Sequence, residues 1–214
     1  MLLEMIDVNK KFDDDTIIRE VSLGVTAGQS VAVTGPSGSG KSTLMSIFGL
    51  LLQPSQGEVR FNGQPVSSLS DDERSRLRNR SFGFIFQNPQ LIGSLSVLDN
   101  VLVPARLARR PNLDAAAKVT LESFGLGHRL KHLPHQLSIG QKRRVAIARA
   151  LLLGPEVVFA DEPTNDLDQE LAGQIGEYLL SLPKSGSALV LVTHDHHLAA
   201  KADRTVRIDN GTIH

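Results

Sequence analysis

A chain of 214 residues is long enough to bury a sizeable core without disulfides or a structural metal. It contains no cysteine, which excludes a disulfide framework and any thiolate metal site and fits a cytosolic protein. Lysine plus arginine equal aspartate plus glutamate at 23 each, so charge gives no reason to expect nucleic acid or an anionic membrane surface as the main partner.

The opening residues, MLLEMIDVNKKF, lack the basic-then-apolar order of a signal peptide. Residues 3–8 and 22–25 read as strand pieces of an antiparallel edge, and residues 30–34 (SVAVT) as a short buried strand. A glycine-rich loop follows. LMSIFGLLL then reads as an apolar helix that Gln53-Pro54 ends. Residues 58–61, closed by Asn62-Gly63, suggest a strand and a tight turn. Ser70-Asp71-Asp72-Glu73 is a capping-box pattern that predicts a helix to about Arg80, with a strand SFGFIF after it. From Gln87 to about Gly154 the character changes to helices and polar loops. Residues 157–160 and 188–193 (ALVLVT) are again buried strands, each followed by helical sequence, and Asn210-Gly211 marks a last hairpin. The expectation is an α/β nucleotide-binding core over about 1–87 and 155–214, with a helical insertion over about 88–154. No apolar run approaches the roughly 20 residues that span a bilayer, so a membrane role would have to come through a partner.

Gly35-Pro36-Ser37-Gly38-Ser39-Gly40-Lys41-Ser42 matches the phosphate-loop pattern G-x-x-x-x-G-K-S/T. Its glycines let backbone N–H groups turn inward around a polyphosphate, and the helix that follows aims its positive end at the same charge. Lys41 is expected on the β- and γ-phosphates and Ser42 on Mg²⁺. Further along, the apolar strand VVFA ends in Asp161 and Glu162. Asp161 is placed to hold Mg²⁺, and Glu162 to orient and deprotonate an attacking water.

With those two motifs in place, the chain resembles the ABC ATPases (ATP-binding cassettes) over nearly its whole length. The fold this implies is a P-loop NTPase core with an antiparallel β edge and an inserted α-helical subdomain. Gln87 matches the family's Q-loop glutamine, which ligates Mg²⁺ and senses the γ-phosphate. Residues 137–141 (LSIGQ) match the signature LSGGQ, residues 165–168 (NDLD) the D-loop, and His194 the switch histidine. The resemblance implies ATP contacts at Phe12, at each residue from Gly35 to Ser42, at Thr43, and at Ser138, Gly140 and Gln141. Phe12 is either an adenine platform or a core aromatic. His194 stands in a cluster with His196 and His197, where metal binding is the alternative to γ-phosphate contact. Lys142-Arg143-Arg144 reads as a solvated or phosphate-facing stripe.

Ser138-Ile139-Gly140-Gln141 is itself a capping-box pattern and should open a helix. In the family that helix end is aimed at the nucleotide of a second copy, and two copies about a two-fold axis build two composite sites. Ile139 stands where glycine is usual. Isoleucine disfavours positive φ and adds a branched side chain beside the partner's phosphate loop. The stretch 69–87, with 95–104, is similar to the ATPase subunits of lipoprotein-release, macrolide-efflux and cell-division complexes. This implies a homodimer that powers a separate membrane-spanning permease and sits on the inner face of the membrane through it. The docking surface is expected near residues 87–104, with Asn88, Leu91, Ile92 and Leu95 in an exposed loop; the other reading is that the apolar ones fold back onto the helical lobe. The alternative is a non-transport ABC ATPase acting on the ribosome or on DNA.

Overall fold

Three runs, β3 (Ser30–Thr34), β7 (Val157–Asp161) and β8 (Ala188–Val192), form the centre of the fold. They are nearly unbroken β-branched and aliphatic sequence because both faces of their sheet are covered. The computed structural model describes residues 1–214. In it these strands join β6 (Phe82–Ile85), β9 (Arg204–Asp209) and β10 (Thr212–Ile213) in the order β10-β9-β3-β8-β7-β6. All neighbours run parallel except the terminal hairpin β9–β10.

A second sheet, antiparallel, has the order β2-β1-β4-β5, from β1 (Leu3–Phe12), β2 (Asp15–Val25), β4 (Gln56–Phe61) and β5 (Gln64–Pro65). The first two strands are longer than the sequence pieces suggested, because they pair up to a tight turn at Asp13, where φ is 49°. Helix α1 (Lys41–Phe48) packs between the sheets. Phe48, Phe61, Phe82 and Phe159 meet edge to face there, Phe82 and Phe159 with centroids 5.4 Å apart.

Helix α1 stops earlier than the apolar run LMSIFGLLL predicted. Gly49 caps it, Leu50 turns to a φ of 59°, and a Cβ at Gly49 would stand 2.6 Å from the Phe84 ring. Close packing against β6 therefore favours glycine at the cap, the left-handed Leu50 takes the chain out of the helix, and Leu50 is buried as a turn residue. Helix α2 (Asp71–Ser81) has the expected capping box at Ser70 and Glu73, and it takes Ser81, which the sequence assigned to the strand.

Between β6 and β7 lie α3 (Val97–Leu107), α4 (Asp114–Ser123) and α5 (Ile139–Leu151). They enclose a hydrophobic cluster of their own, including Val101, Leu121, Leu126 and Val145. Helix α6 (Gln169–Ser181) and the short α7 (His196–Ala199) complete the chain, with α6 and Leu198 covering the other face of the parallel sheet. No helix is long and apolar enough to cross a membrane.

Candidate functional site

The register of the parallel sheet decides where the site lies. Val33 pairs with Val192, and Val192 with Asp161, so β3, β8 and β7 end in one row. Their C-terminal loops therefore leave the sheet side by side: the phosphate loop after β3, Thr193-His194 after β8, and Glu162 after β7. The crevice beyond such strand ends is where open α/β sheets hold ligands.

The phosphate loop is shaped by glycines. Gly35 has φ 150° and no room for a side chain, since a Cβ would lie 2.1 Å from the Ile208 carbonyl. Gly40, at φ 103°, is the N-cap of α1, with Ile17 and Ile18 of β2 against it. That helix start has no side-chain cap and no acidic residue in its first turn, so its leading N–H groups stay free for an anion. Lys41 Nζ donates to the carbonyls of Gly35 and Pro36 at 2.9 and 2.7 Å. Pro36, Ser37 and Gly38 are exposed, while Ser39 is buried with its hydroxyl unpartnered.

Ser42 Oγ donates to Asp161 Oδ2 at 3.3 Å. Burial pushes the Asp161 carboxyl up from its ordinary value; the Ser42 bond opposes that, Glu162 adds to it and Lys41 works against it. One hydroxyl and one carboxylate at a phosphate loop fit a Mg²⁺ ion, which keeps water and phosphate oxygens among its ligands. Glu162 has φ 44°, and its carboxylate accepts from His194 Nδ1 at 2.9 Å and from the His194 N–H at 3.3 Å. Histidine 194 thus pairs with Glu162, and no group of three His, Asp or Glu gathers to hold a metal.

Gln87 is exposed just beyond β6 and lines a cleft with Ile139 and Lys142. The loop after it is pinned to the helices. Arg149 of α5 donates to the carbonyls of Pro89 and Gln90, and the buried Asn100 of α3 bonds the main chain of Ile92 and Leu95. Leu91 packs on the helical cluster and Leu95 is half-buried, so neither is the exposed apolar residue expected; Ile92 is 43% exposed.

Ser138 caps α5 with both bonds of the box. Its Oγ accepts from Gln141 N–H at 3.2 Å, and Gln141 Oε1 accepts from Ser138 N–H at 3.0 Å. Gly140 packs closely on α6, where a Cβ would press on a terminal methyl of Leu171 at 2.5 Å. Ile139 is the first helical residue, 58% exposed and outside the positive-φ region, so the backbone conflict expected there does not arise. Phe12 lies at the end of β1, 46% exposed, with Lys10 Nζ 5.0 Å from its ring centroid. It is therefore no core aromatic.

The basic stripe is corrected by the structure. Arg143 is 1% exposed, and Arg144 donates to the Phe124 carbonyl. Arg143 was legible in principle: it stands three and four residues before the buried Ala146 and Ile147, on the inward face of α5.

The ABC transporter family model matches residues 18–165. The lipoprotein-releasing system ATP-binding protein LolD of Bordetella pertussis is 48% identical over 92% of this chain and 87% of its own. The macrolide export ATP-binding/permease protein MacB of Marinobacter nauticus is 43% identical over 99% of this chain, which spans only 34% of MacB. Among solved structures, the ABC transporter cassette MJ0796, a dimer, has a TM-score of 0.92 at 34% identity, covering 99% of this chain and 96% of that one. A dimeric post-hydrolysis state of MJ0796, bound to ADP and Pi, has a TM-score of 0.88.

Proposed function

This chain belongs to the ABC transporter family and is one of its ATP-hydrolysing cassettes; from that premise we propose which residues do the work and what the work drives. The row formed by Val33, Val192 and Asp161 carries the reading, because it gathers the phosphate loop, His194 and Glu162 at one sheet edge. The N–H groups of residues 35–43 and the Lys41 ammonium bind the ATP phosphates, and Phe12 offers its exposed ring to adenine. Ser42, Asp161 and Gln87 hold Mg²⁺, which when bound neutralises charge on the phosphate oxygens. Glu162 takes the proton of the attacking water. His194, already bonded to Glu162, turns toward the γ-phosphate.

Ser138, Gly140 and Gln141 face the nucleotide of a second copy, so the working unit is a homodimer with two composite sites. The dimer drives a separate membrane-spanning permease and is held at the inner membrane face by it. The docking place is a cavity of about 530 Å³ between the core and the helices. Leu51 and Leu107, 44% and 72% exposed, lie on its rim, and Phe84 and Pro104 on its wall. Names of relatives favour this over a ribosome- or DNA-acting role, since LolD and MacB are named for release and export.

The test is Glu162→Gln. It should bind Mg-ATP, lose about 10²–10⁴-fold in turnover, and accumulate an ATP-dependent dimer. Light scattering with and without ATP reads the dimer. A variant that stays monomeric with ATP while hydrolysing normally removes Glu162 from this role.

A further inference from the structure

Arg143 is the largest fully buried side chain in the molecule, and no carboxylate lies within ion-pair distance of it. Its guanidinium is received by main-chain carbonyls instead. Nη1 donates to the Glu162 carbonyl at 3.3 Å and to the Phe86 carbonyl at 3.5 Å, and Nη2 donates to the Asn165 carbonyl at 3.1 Å. Nε has no partner. Burying a cation in this way is costly, and burial lowers its pKa, with the nearby Asp166 charge opposing that. A side chain serving only to fill space would be better apolar.

The three carbonyls are not scattered. Phe86 precedes Gln87, Glu162 carries the proposed general base itself, and Asn165 lies in the turn that leads to α6. Glu162 also holds a left-handed backbone that side chains rarely adopt. Such a conformation persists only where the surroundings over-determine it. Here the Glu162 N–H donates to the Val192 carbonyl at 2.9 Å, and its own carbonyl receives both Asn165 N–H and Arg143. The guanidinium is the one side-chain clamp on that carbonyl.

We propose that Arg143 is a positioning residue that fixes the Glu162 backbone from the signature helix, so that the aim of the general base follows the position of α5. The inference rests on the ATPase reading above. Ser138 opens the same helix, five residues before Arg143. A displacement of α5 when a partner's nucleotide arrives at Ser138 is thereby passed to Glu162 and to the peptide preceding Gln87. Each half of the dimer then senses the occupancy of the other half's nucleotide through one guanidinium.

Arg143→Gln keeps a polar side chain and removes the fork. The measurements are kcat and KM for Mg-ATP, the affinity for a fluorescent ATP analogue, and ATP-dependent dimerisation. Turnover should fall by about 10–100-fold, the scale of a misplaced catalytic group, while KM and analogue affinity stay within about 2-fold. The ATP-bound dimer should persist, as it does not depend on Glu162 being aimed. Arg143→Lys, which keeps the charge but not the fork, should fall between wild type and the glutamine variant. A folded Arg143→Gln protein that turns over at the wild-type rate overturns the proposal. So does one whose rate falls only in proportion to lost nucleotide affinity. If Arg143→Gln does not fold, Arg143→Lys is judged by the same split, and unfolding of both assigns the residue to the core alone and overturns the proposal. A wild-type chain that neither hydrolyses ATP nor dimerises with it would instead strike the family-level roles and leave a different signature.

Discussion

Helices α1 and α5 both begin at the site, and their N-termini are prepared in opposite ways. At α1 the cap is Gly40, left-handed, with no side-chain bond and no acidic neighbour in the first turn. Its free donors are satisfied by nothing of their own, and the loop before it is bent by glycines at positive φ, of which Gly35 has no room for a side chain. At α5 the cap is Ser138, and the Ser138–Gln141 box takes up two donors, the Ser138 and Gln141 N–H groups. The first is an anion site complete in a single chain. The second is partly closed in the single chain, since the Gln141 N–H is already held by the Ser138 hydroxyl. On the reading proposed above, the first helix end meets the chain's own nucleotide and the second a partner's.

The largest effect should come from Lys41→Ala. The ammonium touches only two loop carbonyls in the free chain, so its removal should leave folding nearly unchanged. Nucleotide affinity or turnover should fall by at least about 100-fold, because a charge-assisted contact to the phosphates is lost. Calorimetric titration with Mg-ATP and a thermal melt check the two halves. Retained ATP turnover would mean that the glycine-bent N–H groups suffice without the cation.

Ser138→Ala tests the closed end. Loss of the cap should cost about 1 kcal/mol, or roughly 2–4 °C in Tm. The single chain's affinity for ATP should not change, and the ATP-dependent dimer should weaken. A fall in single-chain affinity would show that the two helix ends are not independent.

A smaller effect separates stability from chemistry at the open end. Asp161 has its carboxyl pKa raised in the folded chain, chiefly by burial. The folded state then binds more protons than the unfolded one in the window between the unfolded value and the raised one. Stability falls as pH rises through that window and stays reduced above it. Asp161→Asn should remove the cost and raise Tm at neutral pH, with no gain at pH below the unfolded carboxylate value. The same change should remove Mg-dependent hydrolysis. Equal gains at both pH values would mean that the carboxylate is not the source of the cost.

How much of this was legible in the sequence differs between the same two regions. SVAVT, VVFA and ALVLVT announce buried strands, and the phosphate loop carries its mechanism in glycine spacing and one lysine. The capping boxes at Ser70 and Ser138 are equally local, and both form. What failed was non-local. LMSIFGLLL looks like a longer helix, but the chain leaves it at Gly49, packed on the Phe84 ring, and at the left-handed Leu50. Leu91 in an apolar loop reads as a docking residue before it reads as core, and the Asn100 and Arg149 clamps that fold its loop onto the helices are set by tertiary contact. The charges of Lys142-Arg143-Arg144 suggested solvent, while the helical phase of Arg143 pointed inward, and phase prevailed because three carbonyls wait there.

Ile139→Gly should give the smallest effect and sharpens the comparison furthest. The residue is the first of α5, more than half exposed, with ordinary helical backbone. Glycine there gives up some helix propensity, at most about 1 kcal/mol and less at a first turn whose N–H groups are unpaired anyway. It removes no core contact, so Tm should fall by no more than about 2–4 °C. ATP affinity of the single chain should be untouched. What changes is the surface at that helix end, where, on the proposed reading, a branched side chain beside the capping box faces a partner's phosphate loop. Taking it away should strengthen ATP-driven dimerisation of the Glu162→Gln protein, read as a lower protein concentration at half-dimer in light scattering. Unchanged dimerisation would mean that the isoleucine fits the interface as well as glycine does. Weaker dimerisation would mean that its exposed surface is buried against the partner, so that the closed end recruits its partner through packing as well as through the phosphate.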